Sequence, residues 1–194
     1  MASAKVPPDR VARVVDRARH HDETLLGAWE EHIGSEFAAQ SPDEAIATMA
    51  QDPYVNTVAL MIGGRGRDEV RAFYADHFLS QIPPDTEMVP VSRTVGQGRV
   101  VDEFVVRFTH TMRMDWILPG VPPTGRPVEL PVVVVVQFDR DKIAHEHIYW
   151  DQASVLVQVG LLDRSLPVLG GETAAQVLDP TRPMNELIRR AAPA

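Results

Sequence analysis

The sequence predicts an α+β fold in which N-terminal helices cover one face of a strongly bent, curved antiparallel sheet. Two observations favour this fold. Apolar residues recur at helical spacing through the first third of the 194-residue chain, and from residue 86 the period changes to two. Because helices precede strands instead of alternating with them, we expect the helices to cover one face of the sheet.

The helices are predicted from their apolar stripes and their ends. One short stripe runs over 11–18 and a longer one over 25–37. Ser41, followed by Pro42 and two acidic residues, is typical of a helix start. An extended stretch over 54–61 and a GGRG turn then lead into another amphipathic helix, whose apolar stripe includes His77.

Four extended segments follow, at about 86–96, 99–116, 127–139 and 142–152. Short turns, including GQGR and DRDK, join them, so consecutive strands should be antiparallel neighbours. We expect residues 1–162 to form one domain. Residues 163–194 form a C-terminal extension that is expected to pack on the same domain or on a partner subunit.

Composition excludes several classes of function. The chain has 19 Lys and Arg residues against 27 Asp and Glu residues, and the net charge of −8 leaves no basic surface for nucleic acid. The absence of cysteine rules out disulfides and thiolate chemistry. The sequence shows no secretory signal and no apolar run long enough for a membrane span. We therefore expect a cytoplasmic protein without nucleic-acid or membrane partners.

Strand alternation singles out one histidine and one glutamate. In the segment 99–116, His110 shares a face with apolar side chains such as Phe108 and Trp116. In the segment AHEHIYWDQ, Glu146 shares a face with Ile148 and Trp150. A carboxyl group among apolar neighbours loses hydration, so its pKa should rise toward the range useful for proton transfer. Each residue is equally compatible with a structural role, as a buried polar group bonded to its surroundings.

His145 and His147 lie on the opposite face of the last strand, with Asp151 further along it. Two imidazoles on one face are compatible with a metal site, but no third and fourth ligand stand at a recognisable spacing. We therefore predict no metal and no other cofactor. A polar outer face or a subunit interface is the favoured interpretation of this pair.

Three motifs resemble the SnoaL-like polyketide cyclase branch of the nuclear transport factor 2-like superfamily, which also holds ketosteroid isomerases and limonene-epoxide hydrolases. They are FYADHF before the sheet, PGVPPTGRPVEL between two strands, and DKIAHEHIYWDQASVLVQVGLL at the end. The resemblance spans residues 25–162. It implies a cone in which the curved sheet and the helices enclose an apolar pocket.

In these cyclases, a histidine before the PPTG turn and an aspartate on the following strand carry the proton transfers. His110 matches the histidine, but Val134 stands near the place of the aspartate. The resemblance therefore leaves Glu146 as the replacement acid, with His110 and Glu146 as the candidate catalytic pair. The candidate substrate-binding residues are Tyr54, Asn56, His77, Trp116, Val134 and Trp150.

The expected function is that of a cofactor-independent cyclase or isomerase. It would transfer protons on a small apolar carbonyl compound, such as a polyketide-, lactone- or terpene-like molecule, in a closed pocket. The alternative is a non-catalytic small-molecule-binding or assembly module of the same fold. Because Val132–Val136 place valines on both faces of one strand, we also expect a homodimer through the outer sheet face.

Overall fold

A six-stranded, curved and unclosed sheet forms one layer of the α+β fold, as predicted. The structure is a computed structural model that describes residues 8–191, with side chains from residue 20 onward. The strand order across the sheet is β2-β1-β6-β5-β4-β3. The strands are β1 (Met49–Thr57), β2 (Ile62–Arg65), β3 (Glu87–Gly96), β4 (Arg99–Thr109), β5 (Pro127–Asp139) and β6 (Lys142–Tyr149).

Helices precede and follow the sheet. Two π-helical turns, Gly34–Ala38 and Tyr74–Phe78, continue α1 and α3, and a short 3-10 turn covers Leu79–Gln81. None of the helices within residues 8–191 is both long and apolar enough to cross a membrane. The α-helices are α1 (Pro8–Ile33), α2 (Pro42–Ala47), α3 (Gly66–Phe73), α4 (Gln152–Gln158), α5 (Glu172–Leu178) and α6 (Glu186–Ala191).

The helix start predicted at Ser41 is confirmed. Its side chain accepts a hydrogen bond from the backbone N–H of Glu44 at 3.2 Å, which caps α2. The stripe over 25–37 belongs to the end of α1, where Leu25 and Trp29 are buried against the sheet. The stripe over 11–18 is helical, but its side chains lie outside the described ones.

Strands β3 to β6 pair as consecutive antiparallel neighbours, as the short turns predicted. The parallel pairing of β1 with β6 was not predicted, since it joins segments far apart in sequence. The expected strand 99–116 is wrong beyond Thr109. His110 still bonds to the backbone of Arg126, but a turn between Thr109 and Thr111 then leads the chain out of the sheet.

The C-terminal helices cover one end of the outer sheet face. Both α4 and α5 contact β5, and the Gln158 side chain bonds the backbone N–H and carbonyl of Glu129. Val105 points outward on β4 and is nevertheless fully buried. The other end of this face stays partly open, where Tyr54 and Tyr149 are 37% and 43% exposed.

Candidate functional site

A cavity of about 190 Å³ lies between the inner face of the sheet and the helices. Most of its wall is apolar or aromatic, which suits an organic compound better than an ionic one. The polar residues of the wall are Glu36, Thr57, Tyr74, Thr86, Arg93, Asp102 and Glu146. Its apolar and aromatic wall includes Phe73, Phe78, Phe104, Val106, Trp116, Leu130, Val132, Val134, Ile148 and Trp150.

One polar cluster stands at the wall of this cavity and centres on His32. The imidazole Nε2 lies 3.2 Å from Glu36 Oε1 and 3.1 Å from Glu146 Oε1. The hydroxyl of Tyr74 lies 3.2 Å from the same Nε2 and 3.4 Å from Glu146 Oε1. All four side chains are buried, and His32 stands behind the three that line the cavity.

Local helix geometry brings the helical members of the cluster together. His32 and Glu36 are four residues apart at the end of α1, so their side chains lie one above the other on the face that carries Trp29. Glu36 lies in the first π-helical turn, and Tyr74 begins the second. Such turns are frequent at functional sites because they rotate side chains away from a regular stripe.

The tautomer of His32 follows from its second nitrogen. Nδ1 lies 2.6 Å from the hydroxyl oxygen of Thr48, and that hydroxyl donates its own hydrogen to the carbonyl of Ala45 at 2.7 Å. Thr48 can therefore only accept from His32, so Nδ1 carries a hydrogen. Nε2 is the nitrogen that meets the two carboxylates.

Electrostatics within the cluster favour a shared proton. Burial alone would lower the pKa of His32, but the neighbouring charges of Glu36 and Glu146 outweigh it and raise that pKa to about 10. Burial raises the pKa of the Glu36 carboxyl group, although His32 opposes this shift. Burial and the two carboxylates also raise the pKa of the Tyr74 hydroxyl, which stays neutral. Without a bound ligand, the proton beside Glu146 is thus held by the imidazole of His32.

A second polar group involves Asp102 on β4. Its Oδ2 accepts a hydrogen bond from the indole N–H of Trp29 at 2.8 Å and another from the Arg93 guanidinium at 2.7 Å. Trp29 in turn stacks on His32, with ring centroids 5.7 Å apart. The two polar groups are therefore joined through one indole ring.

Three oxygen atoms are left available to a ligand. Glu146 and Asp102 use only one carboxylate oxygen each in the bonds described above, so Glu146 Oε2 and Asp102 Oδ1 have no partner among the described residues. The hydroxyl of Thr86, also in the cavity wall, is buried and has no partner in the described part of the chain. A buried polar atom without a partner is costly, so the Thr86 hydroxyl in particular favours a ligand with a polar group of its own.

Four of the residues selected from the sequence line the cavity: Glu146, Trp116, Val134 and Trp150. His110 is not among the lining residues. It is fully buried below the PPTG turn, where its Nδ1 lies 3.1 Å from Thr124 Oγ1. Burial lowers the pKa of its imidazole.

The structure does not bring His110 and Glu146 together. Glu146 pairs across the sheet with Val136, which pairs with Val100 on β4. His110 comes ten residues after Val100, which at ~3.3 Å per residue is roughly 33 Å along the strand direction. The partner of Glu146 is His32 instead.

Tyr54, Asn56 and His77 do not line the cavity either. In β1 it is Val55 and Thr57 that face inward, on the same alternation as the buried Met49 and Pro53. Tyr54 therefore stands on the outer face. The second π-helical turn rotates His77 out of the stripe, and its half-exposed imidazole lies 3.1 Å from Asp115 Oδ2.

His145 and His147 lie on the outer face, where their rings stack at 4.9 Å. Within residues 20–191, the three groups His32, Glu36 and Glu146 are the ones whose ligand atoms come close enough to hold a metal ion, all within 4.8 Å of one another. Sequence reasoning missed His32, Glu36, Tyr74 and Asp102. The signal for three of them was present: His32 and Glu36 share the apolar face of α1 with Trp29, and Asp102 shares a strand face with Phe104.

Comparisons with known proteins agree with this architecture. The family model described as SnoaL-like domain matches residues 29–146. No curated protein matches the sequence. Among solved structures, TsrD from Streptomyces laurentii has a TM-score of 0.58 and 15% identity over 72% of this chain and 97% of its own.

Two further structures have the same fold. AclR, a candidate hydroxylase from Streptomyces galilaeus, has a TM-score of 0.57 and 18% identity, covering 73% of this chain and 88% of its own. A candidate SnoaL-like polyketide cyclase from Jannaschia sp. CCS1 has a TM-score of 0.57 and 14% identity, covering 83% of this chain and 100% of its own. At these identities the likeness shows the fold alone.

Proposed function

Because the chain belongs to the SnoaL-like domain family, we propose that it is an enzyme that moves protons on a small apolar carbonyl compound bound in the cavity. The observation that carries the proposal is the position of Glu146. Its carboxylate faces a mostly apolar cavity and lies 3.1 Å from the imidazole of His32. This is the arrangement that a general base with a tuned partner requires.

The proposed step begins with Glu146 Oε2, the oxygen without a protein partner. It removes a proton from the carbon next to the substrate carbonyl, and the electron pair of that C–H bond moves onto the carbonyl oxygen as an enolate. Return of the proton to another carbon gives an isomer. Attack of the enolate on a second carbonyl carbon forms a C–C bond, and the proton then goes to the resulting alkoxide. The net result is an isomerisation or an aldol cyclisation.

His32, Glu36 and Tyr74 have different parts in this proposal. His32 does not line the cavity, so it is a positioning residue that holds the side chain of Glu146 through the 3.1 Å contact with Oε1. Tyr74 and Glu36 line the cavity and can donate a hydrogen bond to developing negative charge, because Tyr74 is neutral and burial raises the pKa of Glu36. A pre-positioned donor of this kind favours the enolate over the ketone.

Cavity size limits the substrate class. An apolar cavity of about 150 Å³ is known to bind benzene, and this one measures about 190 Å³. A monocyclic compound therefore fits, whereas a polycyclic one requires the wall to open. Asp102 Oδ1 and Thr86 Oγ1 favour a substrate that carries a hydroxyl group besides its carbonyl.

The test measures proton transfer without knowledge of the natural reaction. The chain is incubated in D₂O with a panel of monocyclic ketones and lactones, and deuterium at the carbon next to the carbonyl is followed by mass spectrometry. We expect exchange faster than without protein, and a loss of about 10²-fold or more in Glu146→Gln. His110→Asn and the outer-face variant Glu129→Gln are the controls and should keep the exchange rate.

One observation favours the non-catalytic alternative: Val134 occupies the place where related cyclases are expected to hold an aspartate. A binding module would bind compounds of the panel, as shown by calorimetry, without accelerating exchange. That result, or equal exchange in Glu146→Gln and the unmodified chain, would refute the enzyme proposal.

We also propose that a second copy of the chain covers the open part of the outer sheet face. His147 stands there between the rings of Tyr54 and Tyr149, at 5.7 and 6.4 Å, and Val101 is 37% exposed. Aromatic side chains of this kind are enriched at subunit interfaces. Light scattering after size exclusion should give a dimer that Val101→Glu dissociates. Leu161→Glu, a change at an exposed leucine off the sheet, should leave it intact.

A further inference from the structure

The cluster that surrounds His32 brings three possible metal ligands together, which proton transfer alone does not require. Nε2 of the imidazole and one oxygen each from Glu36 and Glu146 converge on one point, from two elements far apart in the sequence. We propose that these three side chains form a binding site for one divalent transition-metal ion, with an open coordination position toward the cavity. This inference does not rest on the proposed function, since it concerns binding only.

The spacing of the atoms fits a metal ion. Two ligand atoms that bind one ion at about 2.1 Å, at tetrahedral or octahedral angles, are about 3.0–3.4 Å apart. The observed distances are 3.2 Å from Nε2 to Glu36 Oε1 and 3.1 Å from Nε2 to Glu146 Oε1. Both distances therefore match those of two ligands on one ion, and all three ligand atoms lie within 4.8 Å of one another.

The surroundings of His32 are those of a metal ligand. A ligating histidine almost always donates its other N–H to an oxygen, which fixes the ring and the tautomer. Here Nδ1 donates to Thr48, whose own hydroxyl is held by Ala45. The imidazole is thus oriented so that the lone pair of Nε2, when the ring is neutral, points between the two carboxylates.

Charge balance gives a separate argument. Two buried carboxylates stand against one imidazole, so the cluster is neutral only if it binds two protons or one doubly charged cation. With a neutral imidazole, two carboxylates and a divalent ion, the sum is zero. The Glu146 side chain is only 3% exposed, and its contacts with His32 and Tyr74 use Oε1, so this carboxylate has a second oxygen to offer.

The donor set indicates the class of metal. Imidazole suits Zn²⁺ and Fe²⁺, whereas purely oxygen sites suit Mg²⁺ and Ca²⁺. Three protein ligands with a fourth position open are the pattern of a catalytic rather than a structural zinc site. Because Glu36, Tyr74 and Glu146 line the cavity, the open position faces bound substrate or water.

Zn²⁺ and Co²⁺ titrations of the full chain test the site. The protein is first freed of metal with a chelator, then titrated calorimetrically, and the bound metal is counted by mass spectrometry after dialysis. We expect one ion per chain with a micromolar or tighter Kd, and a visible Co²⁺ absorption band of a four- or five-coordinate site. Glu36→Gln and Glu146→Gln should each weaken binding at least tenfold.

Two further variants keep the test decisive. Thr48→Val retains all three ligands but removes the acceptor of Nδ1–H, and should weaken binding about 10- to 100-fold even if a ligand variant fails to fold. His145→Asn/His147→Asn removes the histidine pair of the outer sheet face, which is the competing site, and should leave the affinity unchanged. The proposal is overturned if neither ion binds, if binding is lost with the outer-face pair, or if Thr48→Val and Glu36→Gln both keep full affinity.

Discussion

Replacement of Trp29 by phenylalanine isolates the bond that joins the two polar groups of the cavity. The indole N–H donates to Asp102 Oδ2 at 2.8 Å, with both side chains buried. A hydrogen bond to a charged group contributes about 1.5–3 kcal/mol, against about 1 kcal/mol for a neutral acceptor. Loss of the larger ring adds about 1 kcal/mol. We therefore expect Trp29→Phe to lower the free energy of unfolding by about 3 kcal/mol.

Trp116→Phe is the matched control. Trp116 also lines the cavity, and its N–H donates at 3.2 Å to a neutral backbone carbonyl, that of Gln81. Both substitutions remove the same atoms, but Trp29 is buried and Trp116 only partly so, and a double-mutant cycle is therefore needed to isolate the charge of the acceptor. Urea unfolding followed by circular dichroism gives the free energies, and Trp29→Phe should cost about 0.5–2 kcal/mol more than Trp116→Phe.

A double-mutant cycle with Asp102→Ala decides whether the bond itself is responsible. In the Asp102→Ala background, Trp29→Phe has no acceptor to lose, so its cost should fall to the ring contribution. The coupling energy should be about 2 kcal/mol. Equal costs of Trp29→Phe in both backgrounds, or a cost no larger than that of Trp116→Phe, would show that the charged acceptor contributes nothing.

Two other predictions concern the frame around the site. Gly63→Ala should disrupt the β1–β2 pairing, because a Cβ there would lie 2.0 Å from the Val55 carbonyl oxygen. Gly27→Ala should instead raise the free energy of unfolding by about 1 kcal/mol, because Gly27 lies on an open face of α1 and alanine favours the helix. Thermal unfolding of the two variants checks this, and a stable Gly63→Ala would contradict it. Asp115 accepts hydrogen bonds from Arg113 and Gln81 and contacts His77, and the Arg113 bond is the main cause that lowers the pKa of Asp115. The contribution of the Asp115 carboxylate to the free energy of unfolding is therefore fully present above the unfolded-state pKa of about 4 and is lost as the pH falls below that value. The stability difference between the unmodified chain and Asp115→Asn should shrink from pH 5 to pH 2, and a constant difference would refute this role.

Alternation along single strands was enough to predict the fold and part of the cavity wall. Glu146, Ile148 and Trp150 face inward because a regular strand sends every second side chain to one side. The selection of Tyr54 and Asn56 did not rest on this rule, and regular alternation in β1 turns Val55 and Thr57 inward instead. The helical stripe failed at His77, because a π-helical turn has a different period from an α-helix. Such a turn leaves no periodic pattern in the sequence from which it could be predicted.

The partner of Glu146 could not be found by treating strands alone. His110 satisfied the rule that a polar residue on an apolar face is a candidate. That rule does not say how far such a residue lies from Glu146. His32 and Glu36 satisfy the same rule on the apolar face of α1, and the parallel pairing of β1 with β6 helps to set the strand of Glu146 beneath that helix. The choice between two histidines thus depends on which layer covers which strand, a long-range property of the topology. A polar residue on a helix stripe and one on a strand face should therefore be considered as a pair whenever helices and sheet form the two layers of one core.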